Sequence, residues 1–311
     1  MRVLVTGADG FVGGWLCRTL VAAGHRVTGT MVALDRRLPD DGLEWHHLEL
    51  TDAESVSALF RNASPWDAIV HLGAIAWSRD AGVDPGRTWN VNAGGTVRLL
   101  EAVGRLREAG AADPLVLLVS SAEVYGRGQG LRTESDPPAP LSPYASSKLG
   151  AEVAAGEAER RLGLRVIVAR PFPHIGPGQR EVFVAPALLA RIRAAKISEA
   201  REIPTGDLST VRDFLDVRDV AAAYLALLER GAPGTIYNVA SGTGQPLTAL
   251  FDSLARRGGA SVRPRPEPTL MRPWDVPHLV GDASRLRAAT GWSPSYSFEQ
   301  TLTDLVNAEA Y

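Results

Sequence analysis

The chain has 311 residues, of which 45% are hydrophobic and 22% charged, and its formal net charge is -2. That length allows a sizeable core in one large domain or two unequal ones, and a near-neutral charge without runs of one sign argues against a nucleic-acid partner. Cys17 is the single cysteine, so an internal disulfide is excluded, and no Cys/His group has metal-ligand spacing. The sequence opens without a signal-peptide pattern and has no apolar run of membrane-spanning length, so we expect a cytoplasmic protein with no membrane partner.

The first half of the chain alternates strand-like and helix-like segments. A β-branched run at 2–5 precedes helical apolar spacing at 11–23, which Gly24 ends as a C-cap. The pattern then repeats, with predicted strands at 26–32, 68–72, 115–120 and 165–170 and predicted helices at 89–109 and 144–162. Such alternation is typical of βαβ units, so we predict an α/β fold with a Rossmann-type, doubly wound parallel sheet.

Prolines and glycines interrupt this regular pattern in the second half of the chain. We therefore predict an NAD(P)-binding Rossmann domain at 1–170 and a smaller substrate-binding domain at 171–211 and 241–311. Residues 212–240 are predicted to return to the first domain as a helix and a strand.

Three glycines, Gly7, Gly10 and Gly13, follow the first predicted strand and open the first predicted helix. Backbone N–H groups at such a helix N-terminus bind a pyrophosphate, and glycines allow its close approach. The spacing differs from the commonest dinucleotide fingerprint, but the position between strand and helix predicts a cofactor turn. Phe11 and Val12 belong to the same turn.

The end of the second predicted strand, near Met31, lacks the acid that would bind the free ribose hydroxyls of NAD. Arg36 and Arg37 follow a few residues later, and an arginine can accommodate the extra phosphate of NADP. NADP(H) is therefore favoured over NAD(H), with Arg36 as a cofactor contact. The alternative is that these arginines form only a solvated loop.

Lysine is rare in this chain: Lys148 and Lys196 are the two lysines among 33 basic residues. Lys148 follows Tyr144 by four positions, so on a helix the phenol and the ammonium share one face. We expect Lys148 to lower the pKa of Tyr144 from about 10 towards neutrality, which would let the phenol exchange a proton with a substrate. The alternative is that this spacing occurs by chance in a helix.

Several motifs together resemble the extended short-chain dehydrogenase/reductases, a family acting on nucleotide-diphosphate sugars. They are TGADGFVGGWL from Thr6, HLGA from His71, NAGGTVRLLEA from Asn92, SSAEVYG from Ser120 and YASSK from Tyr144. The second half resembles, within that family, the reductases of GDP-4-keto-6-deoxy-D-mannose. The matching segments are RPFPHIGPGQ from Arg170, VRDFLDVRDV from Val211, IYNVASG from Ile236, MRPWDVPHLVGDASRL from Met271 and TGWSP from Thr290.

The resemblance implies roles for individual residues. Tyr144 would donate the proton, Lys148 would hold the nicotinamide ribose, and Ser121 would hold the substrate carbonyl. Glu123 would assist proton transfer. The further cofactor positions implied are Glu49, Leu50, Leu72, Gly73, Ala74, Asn92, Pro171 and His174, and the further substrate positions are Ala122, Pro173, Arg212, Arg272 and Asp275. No metal is implied.

Pro173 departs from the family motif, which usually has an asparagine that contacts substrate phosphates. Proline offers neither the side-chain amide nor a backbone N–H. Either Arg212 and Arg272 compensate through guanidinium contacts to phosphate, or the substrate differs from the mannose-derived nucleotide.

The resemblance implies an NAD(P)H-dependent 4-ketoreductase of a nucleotide-activated 6-deoxyhexose, making GDP-D-rhamnose from its 4-keto precursor. The alternatives are a sugar-nucleotide 4-epimerase with tightly bound NAD, a 4,6-dehydratase, and an NADP-binding regulatory protein without catalysis. The expected partners are a nucleotide-diphosphate sugar, most simply a GDP-sugar, and a second copy of the chain. Pairing of the helices at 89–109 and 144–162 would form the homodimer.

Overall fold

The computed structural model describes residues 1–33, 42–62, 65–76, 78–271 and 275–308. These residues form fifteen strands and eleven α-helices. The strands are β1 (Arg2–Thr6), β2 (Arg26–Met31), β3 (Glu44–His47), β4 (Ala68–His71), β5 (Leu115–Val119), β6 (Leu131–Arg132), β7 (Arg165–Pro171), β8 (His174–Ile175), β9 (Glu202–Thr205), β10 (Val211–Asp213), β11 (Leu215–Asp216), β12 (Thr235–Val239), β13 (Gly244–Pro246), β14 (Arg263–Pro266) and β15 (His278–Gly281).

The helices are α1 (Phe11–Ala22), α2 (Ala53–Asn62), α3 (Ser78–Val83), α4 (Pro85–Trp89), α5 (Gly95–Glu108), α6 (Pro143–Leu162), α7 (Val184–Ser198), α8 (Val217–Arg230), α9 (Leu247–Gly258), α10 (Ser284–Thr290) and α11 (Phe298–Asn307). A π-helical turn, Asn90–Gly94, joins α4 to α5, and 3₁₀ turns cover Ala122–Tyr125 and Pro268–Leu270. The helix predicted over 89–109 is thus the end of α4, the π turn and α5.

Seven parallel strands form the main sheet in the order β12-β7-β5-β4-β1-β2-β3. The chain starts at β1 and builds outward, first to β2 and β3 on one side and then to β4 and beyond on the other. The order therefore reverses between β1 and β4, which is where ligands bind at the carboxyl ends of strands in doubly wound sheets. The predicted α/β Rossmann-type fold is confirmed.

Both faces of the main sheet are covered, as the apolar sequence of its central strands requires. Alternate residues of β1 serve different cores: Val3 and Val5 pack with α1 and α8, whereas Leu4 packs with α2, α5 and α6 on the other face. β5 is buried along its whole length.

A third hydrophobic cluster lies in the second half of the chain and is built from α7, α9 and α11. A four-stranded sheet, β13-β10-β15-β6, and the short β8–β11 pair connect this half to the ends of the main-sheet strands. β12 lies in the main sheet beside β7, and α8 packs on α1. The division into a cofactor domain and a substrate domain stays a prediction. In the described part of the chain, no helix is long and apolar enough to cross a membrane.

Candidate active site

The turn between β1 and α1 has the geometry of an anion site. Gly7 has a φ of +66°, and its carbonyl accepts the Gly10 amide at 3.1 Å. A Cβ on Gly13 would lie 2.3 Å from the Gly7 carbonyl oxygen, so glycine is required there. The first turn of α1 carries no acidic side chain, and Gly10 supplies no side-chain cap. Its N–H groups, beside the half-buried Phe11 and Val12, therefore fit a pyrophosphate.

The residues predicted on the adenosine side of the cofactor follow β2 and β3. Met31 is buried, and its carbonyl accepts the Leu48 amide at 3.0 Å. Glu49 accepts bonds from the hydroxyl and amide of Thr51, and these bonds lower the pKa of Glu49. A Cβ on Gly95 would lie 2.8 Å from that of Leu50, so Leu50 packs directly on α5. Arg36 lies outside the described residues.

His71, at the end of β4, connects β1 with α5 through a buried chain of hydrogen bonds. The Gly73 amide donates to Thr6 Oγ1 at 3.0 Å, and Thr6 Oγ1 lies 2.8 Å from His71 Nδ1. His71 Nε2 lies 3.2 Å from Thr96 Oγ1, which donates its own proton to the Asn92 carbonyl at 2.6 Å. Thr96 must therefore accept from Nε2–H, which assigns the His71 proton to Nε2. Gly73 is held at the carboxyl end of β1 by this chain.

Asn92 extends this series of hydrogen bonds from the π turn to α6. The loop after β4 carries the predicted cofactor residues Leu72 and Ala74. Asn92 Oδ1 accepts the Ile75 amide of that loop at 2.8 Å, and Asn92 Nδ2 donates to the Ile75 carbonyl at 3.1 Å and to Ser147 Oγ at 2.9 Å. Ser147 donates to the Tyr144 carbonyl at 2.8 Å. π turns often mark functional sites, and from this one Asn92 bonds both the loop after β4 and α6.

Ser121 and Glu123 lie where β5 ends and a 3₁₀ turn begins. Ser121 caps that turn by accepting the Glu123 amide at 3.2 Å, and Ala122 is buried beneath it. The turn brings the Ser121 hydroxyl and the Glu123 carboxylate close enough to Tyr144 to change its pKa. The three predicted side chains therefore meet at the carboxyl edge of the sheet.

Tyr144 lies in the first turn of α6, which begins with the cap Ser142 and Pro143. Burial raises the pKa of the Tyr144 phenol well above 10, the charge of Glu123 raises it further, and the Ser121 hydroxyl partly offsets the rise. The direction is opposite to the expected lowering. The phenol is consequently held in its protonated form at neutral pH.

Lys148 lies one turn further along α6 and is buried. Its Nζ donates to the Val119 carbonyl at 2.8 Å, so the ammonium is directed to the end of β5. Burial lowers the pKa of Lys148 to about 8, an effect that the nearby Glu152 carboxylate partly offsets. Burial, and secondarily the charge of Lys148, lowers the pKa of His71 to about 3, which keeps that imidazole neutral.

The segment after β7 faces the glycine turn. The His174 ring stacks on Phe11 with centroids 6.2 Å apart, and His174 Nδ1 bonds the Phe172 carbonyl at 3.0 Å. Pro171 ends β7, and the Pro173 carbonyl accepts the Leu215 amide at 2.9 Å. Pro173 thus serves as a backbone acceptor between β8 and β11, without an amide to offer a substrate.

Arg212 and Asp275 are brought together although 63 residues separate them. The Arg212 guanidinium donates to the Asp275 carboxylate and to the backbone carbonyl of the preceding residue, Val211. Hydrogen bonds from Ser209 lower the pKa of Asp207, and the charge of Arg212 adds a smaller effect in the same direction. The Asp275 carboxylate holds the guanidinium in place, and a guanidinium can bind a phosphate through paired N–H donors. Arg272 lies outside the described residues.

Sequence reasoning missed five buried residues that position the predicted ones: His71, Thr96, Ser147, Glu152 and Arg170. Glu152 follows Lys148 by four positions, so the spacing that revealed Tyr144 and Lys148 extends to it. No such spacing pointed to the hydroxyls of Thr96 and Ser147.

Known proteins match this chain over nearly its whole length. Residues 4–305 match the family described as GDP-mannose 4,6 dehydratase. GDP-6-deoxy-D-mannose reductase of Pseudomonas aeruginosa is 36% identical over 98% of this chain and 96% of that protein.

Two solved structures are closely similar. The RMD protein of Pseudomonas aeruginosa, complexed with NADPH, has a TM-score of 0.83 at 33% identity, with 98% of each chain covered. UDP-glucose 4-epimerase of Thermotoga maritima with UDP-glucose has a TM-score of 0.88 at 26% identity, covering 98% of this chain and 97% of that one. The chain belongs to the extended short-chain dehydrogenase/reductases, the family of NAD(P)-dependent nucleotide-sugar epimerases, dehydratases and reductases.

Proposed function

We propose that the chain reduces the 4-keto group of a nucleotide-activated 6-deoxyhexose, of the GDP-4-keto-6-deoxy-D-mannose type, with a nicotinamide cofactor as hydride source. The observation that carries the proposal is the meeting of Ser121, Glu123 and the buried Tyr144 at the carboxyl edge of the main sheet, with Lys148 one helical turn further along α6. The reductase of Pseudomonas aeruginosa, similar over nearly the whole chain, supports the substrate class.

Reduction requires a proton as well as a hydride. When the cofactor is bound it supplies the hydride, and the carbonyl oxygen then becomes an alkoxide. In the proposed reaction Ser121 donates a hydrogen bond to that oxygen, and Tyr144 gives it a proton. The Lys148 ammonium at the end of β5 adds positive charge beside the developing anion.

Reduction and epimerisation place different demands on the same tyrosine. A reductase needs a proton donor, whereas an epimerase begins by oxidising a sugar hydroxyl and its tyrosine must first accept a proton. A phenol is protonated at neutral pH with or without a raised pKa, so its protonation state does not separate the two reactions. The 36% identity to the reductase of Pseudomonas aeruginosa supports reduction.

The test is oxidation of NADPH by the purified chain in the presence of GDP-4-keto-6-deoxy-D-mannose, followed by its absorbance. We expect substrate-dependent oxidation and a GDP-6-deoxyhexose product. Tightly bound NAD in the purified protein, with turnover of a nucleotide sugar and no added cofactor, would instead indicate the epimerase. Conversion of GDP-mannose to its 4-keto-6-deoxy derivative would indicate the dehydratase.

We infer a preference for NADP(H) because Met31 ends β2 where an NAD-binding acid is expected, and the similar RMD structure holds NADPH. The ratio of kcat/KM for NADPH and NADH tests this preference. One additional contact to the 2′-phosphate of NADPH contributes about 1.5–3 kcal/mol, so we expect a ratio above about ten. A ratio below one would contradict the inferred preference.

We also propose a homodimer formed by α5 and α6. Val97 and Val153, one on each helix, are 44% and 65% exposed, and Trp89 in α4 is 44% exposed. Three apolar side chains on neighbouring helices fit burial against a second copy. Light scattering at micromolar concentration should give twice the 33.2 kDa chain mass, and Val153→Glu should shift the mass towards the monomer.

A further inference from the structure

The buried face of α6 carries a third functional position beyond Tyr144 and Lys148. Glu152 follows Lys148 by one helical turn, and its side chain is 6% exposed. An ionised carboxylate so deeply buried must be compensated. Arg170, at the end of β7, donates to it from Nε at 3.0 Å and from Nη2 at 2.6 Å, and the Ser120 hydroxyl donates as well.

This ion pair is rigidly held. The Arg170 guanidinium is itself buried and lies 4.8 Å from the centre of the Tyr125 ring, so it stacks on an aromatic face while binding the carboxylate. Two parallel N–H donors fix the carboxylate plane. Glu152 is thus held in one place relative to α6 rather than free to follow Lys148.

The surroundings of Lys148 contain one negative group of this kind. The Val119 carbonyl of β5 accepts from its Nζ, and the neutral His71 ring of β4 is near enough for the charge of Lys148 to lower its pKa. Tyr144 lies one turn before Lys148 on the same helix. Glu123 acts instead on the Tyr144 phenol, whose pKa its charge raises. Among the described residues that act on Lys148, Glu152 is the one that favours the ammonium form.

We propose that Glu152, clamped by Arg170 and Ser120, is the positioning counter-ion that keeps Lys148 charged during turnover. The proposal rests on the function proposed above, in which the Lys148 ammonium contributes positive charge at the reacting oxygen. Arg170 balances the charge of the carboxylate, which reduces the cost of burying it.

The rarity of lysine makes a direct test possible. Protein labelled with ¹³C at lysine Cε should give two lysine signals, from Lys148 and Lys196, and Lys196→Arg assigns them. The full chain, with and without NADPH, is titrated between pH 6 and 11. In the unsubstituted chain Lys148 should titrate near 8. Glu152→Gln should move that midpoint down by about one to two units, from the Coulomb energy of charges one helical turn apart at an effective dielectric constant of about 20.

Glu157→Gln is the matched control, because Glu157 is exposed on the same helix and pairs with Arg161. It should leave the Lys148 midpoint unchanged. Glu152→Asp keeps the charge and should restore most of the shift. If Glu152→Gln does not fold because Arg170 is left unpaired, Glu152→Gln with Arg170→Met removes both charges, and the midpoint should still fall, by a smaller amount.

A Lys148 midpoint unchanged or raised in Glu152→Gln, or in the double variant, would overturn the proposal. The titration needs no turnover, so its outcome is independent of the reductase assay. In the active enzyme, the decline of kcat with rising pH should begin at lower pH in Glu152→Gln, a change that a purely structural role would not produce.

Discussion

Replacing Asn92 by leucine should remove the hydrogen bonds that join the loop after β4 to α6. Leucine fills a similar volume but leaves the Ile75 amide and carbonyl without their partner and removes a donor from Ser147. Each unpaired backbone group costs about 1–3 kcal/mol when buried. Since Asn92 is 2% exposed and Ile75 is partly exposed, we expect a loss of about 2–4 kcal/mol in the free energy of unfolding.

Urea denaturation followed by circular dichroism measures this loss, and NADPH titration measures the effect on the cofactor loop. Asn90→Leu is the matched control, because Asn90 is exposed in the same π turn and bonds only Arg98 through its side chain in the described structure. It should change stability by less than about 0.5 kcal/mol. Equal losses in the two variants would refute the assignment of Asn92 as the link.

Three further outcomes are expected. Gly13→Ala places a methyl group 2.3 Å from the Gly7 carbonyl oxygen and should weaken NADPH binding at least about tenfold, as measured by fluorescence titration. Gly14→Ala is the control, because its Cβ would meet no atom within 4 Å, and it should leave the affinity unchanged. Equal affinities of the two variants for NADPH would contradict the role of the turn in cofactor binding. Arg212→Ala should raise the KM for the nucleotide sugar roughly 10- to 100-fold with an unchanged Kd for NADPH, as expected for loss of a charged hydrogen bond; a weaker NADPH complex would place Arg212 elsewhere. The pKa of His71 is about 3 in the folded chain and about 6.5 in the unfolded chain. The free energy of unfolding should therefore fall as the pH drops below 6.5, by about 2 kcal/mol at pH 5. Urea titrations at pH 5 and 7 measure this loss, and it should be smaller in His71→Gln.

The strands and helices of the main sheet could be predicted from periodicity. The run at 115–120 is β5, the spacing at 144–162 is α6, and the strand at 235–239 is β12. β3 was missed because Glu44–His47 is four residues long and shows no alternation of apolar residues. The three helices of the third cluster follow proline-rich segments, and their tertiary packing, rather than a local signal, defines them.

The candidate catalytic residues could be predicted from the sequence, but their pKa values could not. The four-residue spacing places Tyr144 and Lys148 on one face and predicted a lowered phenol pKa. The folded chain instead directs the ammonium to the Val119 carbonyl, and burial dominates the phenol. Burial depends on the packing of the whole domain, so no local pattern reports it.

Arg170 illustrates the same limit for ion pairs. Arg170 opens the motif RPFPHIGPGQ and ends the predicted strand at 165–170, but among 31 arginines neither feature indicated that its guanidinium is buried against Glu152. Arg212 was predicted from its motif, yet its pairing with Asp275 depends on the adjacent strands β10 and β15.

The proton donor is the central claim, and Tyr144→Phe tests it most directly. The substitution removes one oxygen, so NADPH should bind as in the unsubstituted chain. NADPH oxidation with GDP-4-keto-6-deoxy-D-mannose should slow by about 10²- to 10⁴-fold, the usual contribution of a general acid. Tyr296→Phe, a partly exposed tyrosine whose ring packs against Arg218, should retain the full rate. A Tyr144→Phe enzyme that reduces the ketosugar at the unsubstituted rate would contradict the account.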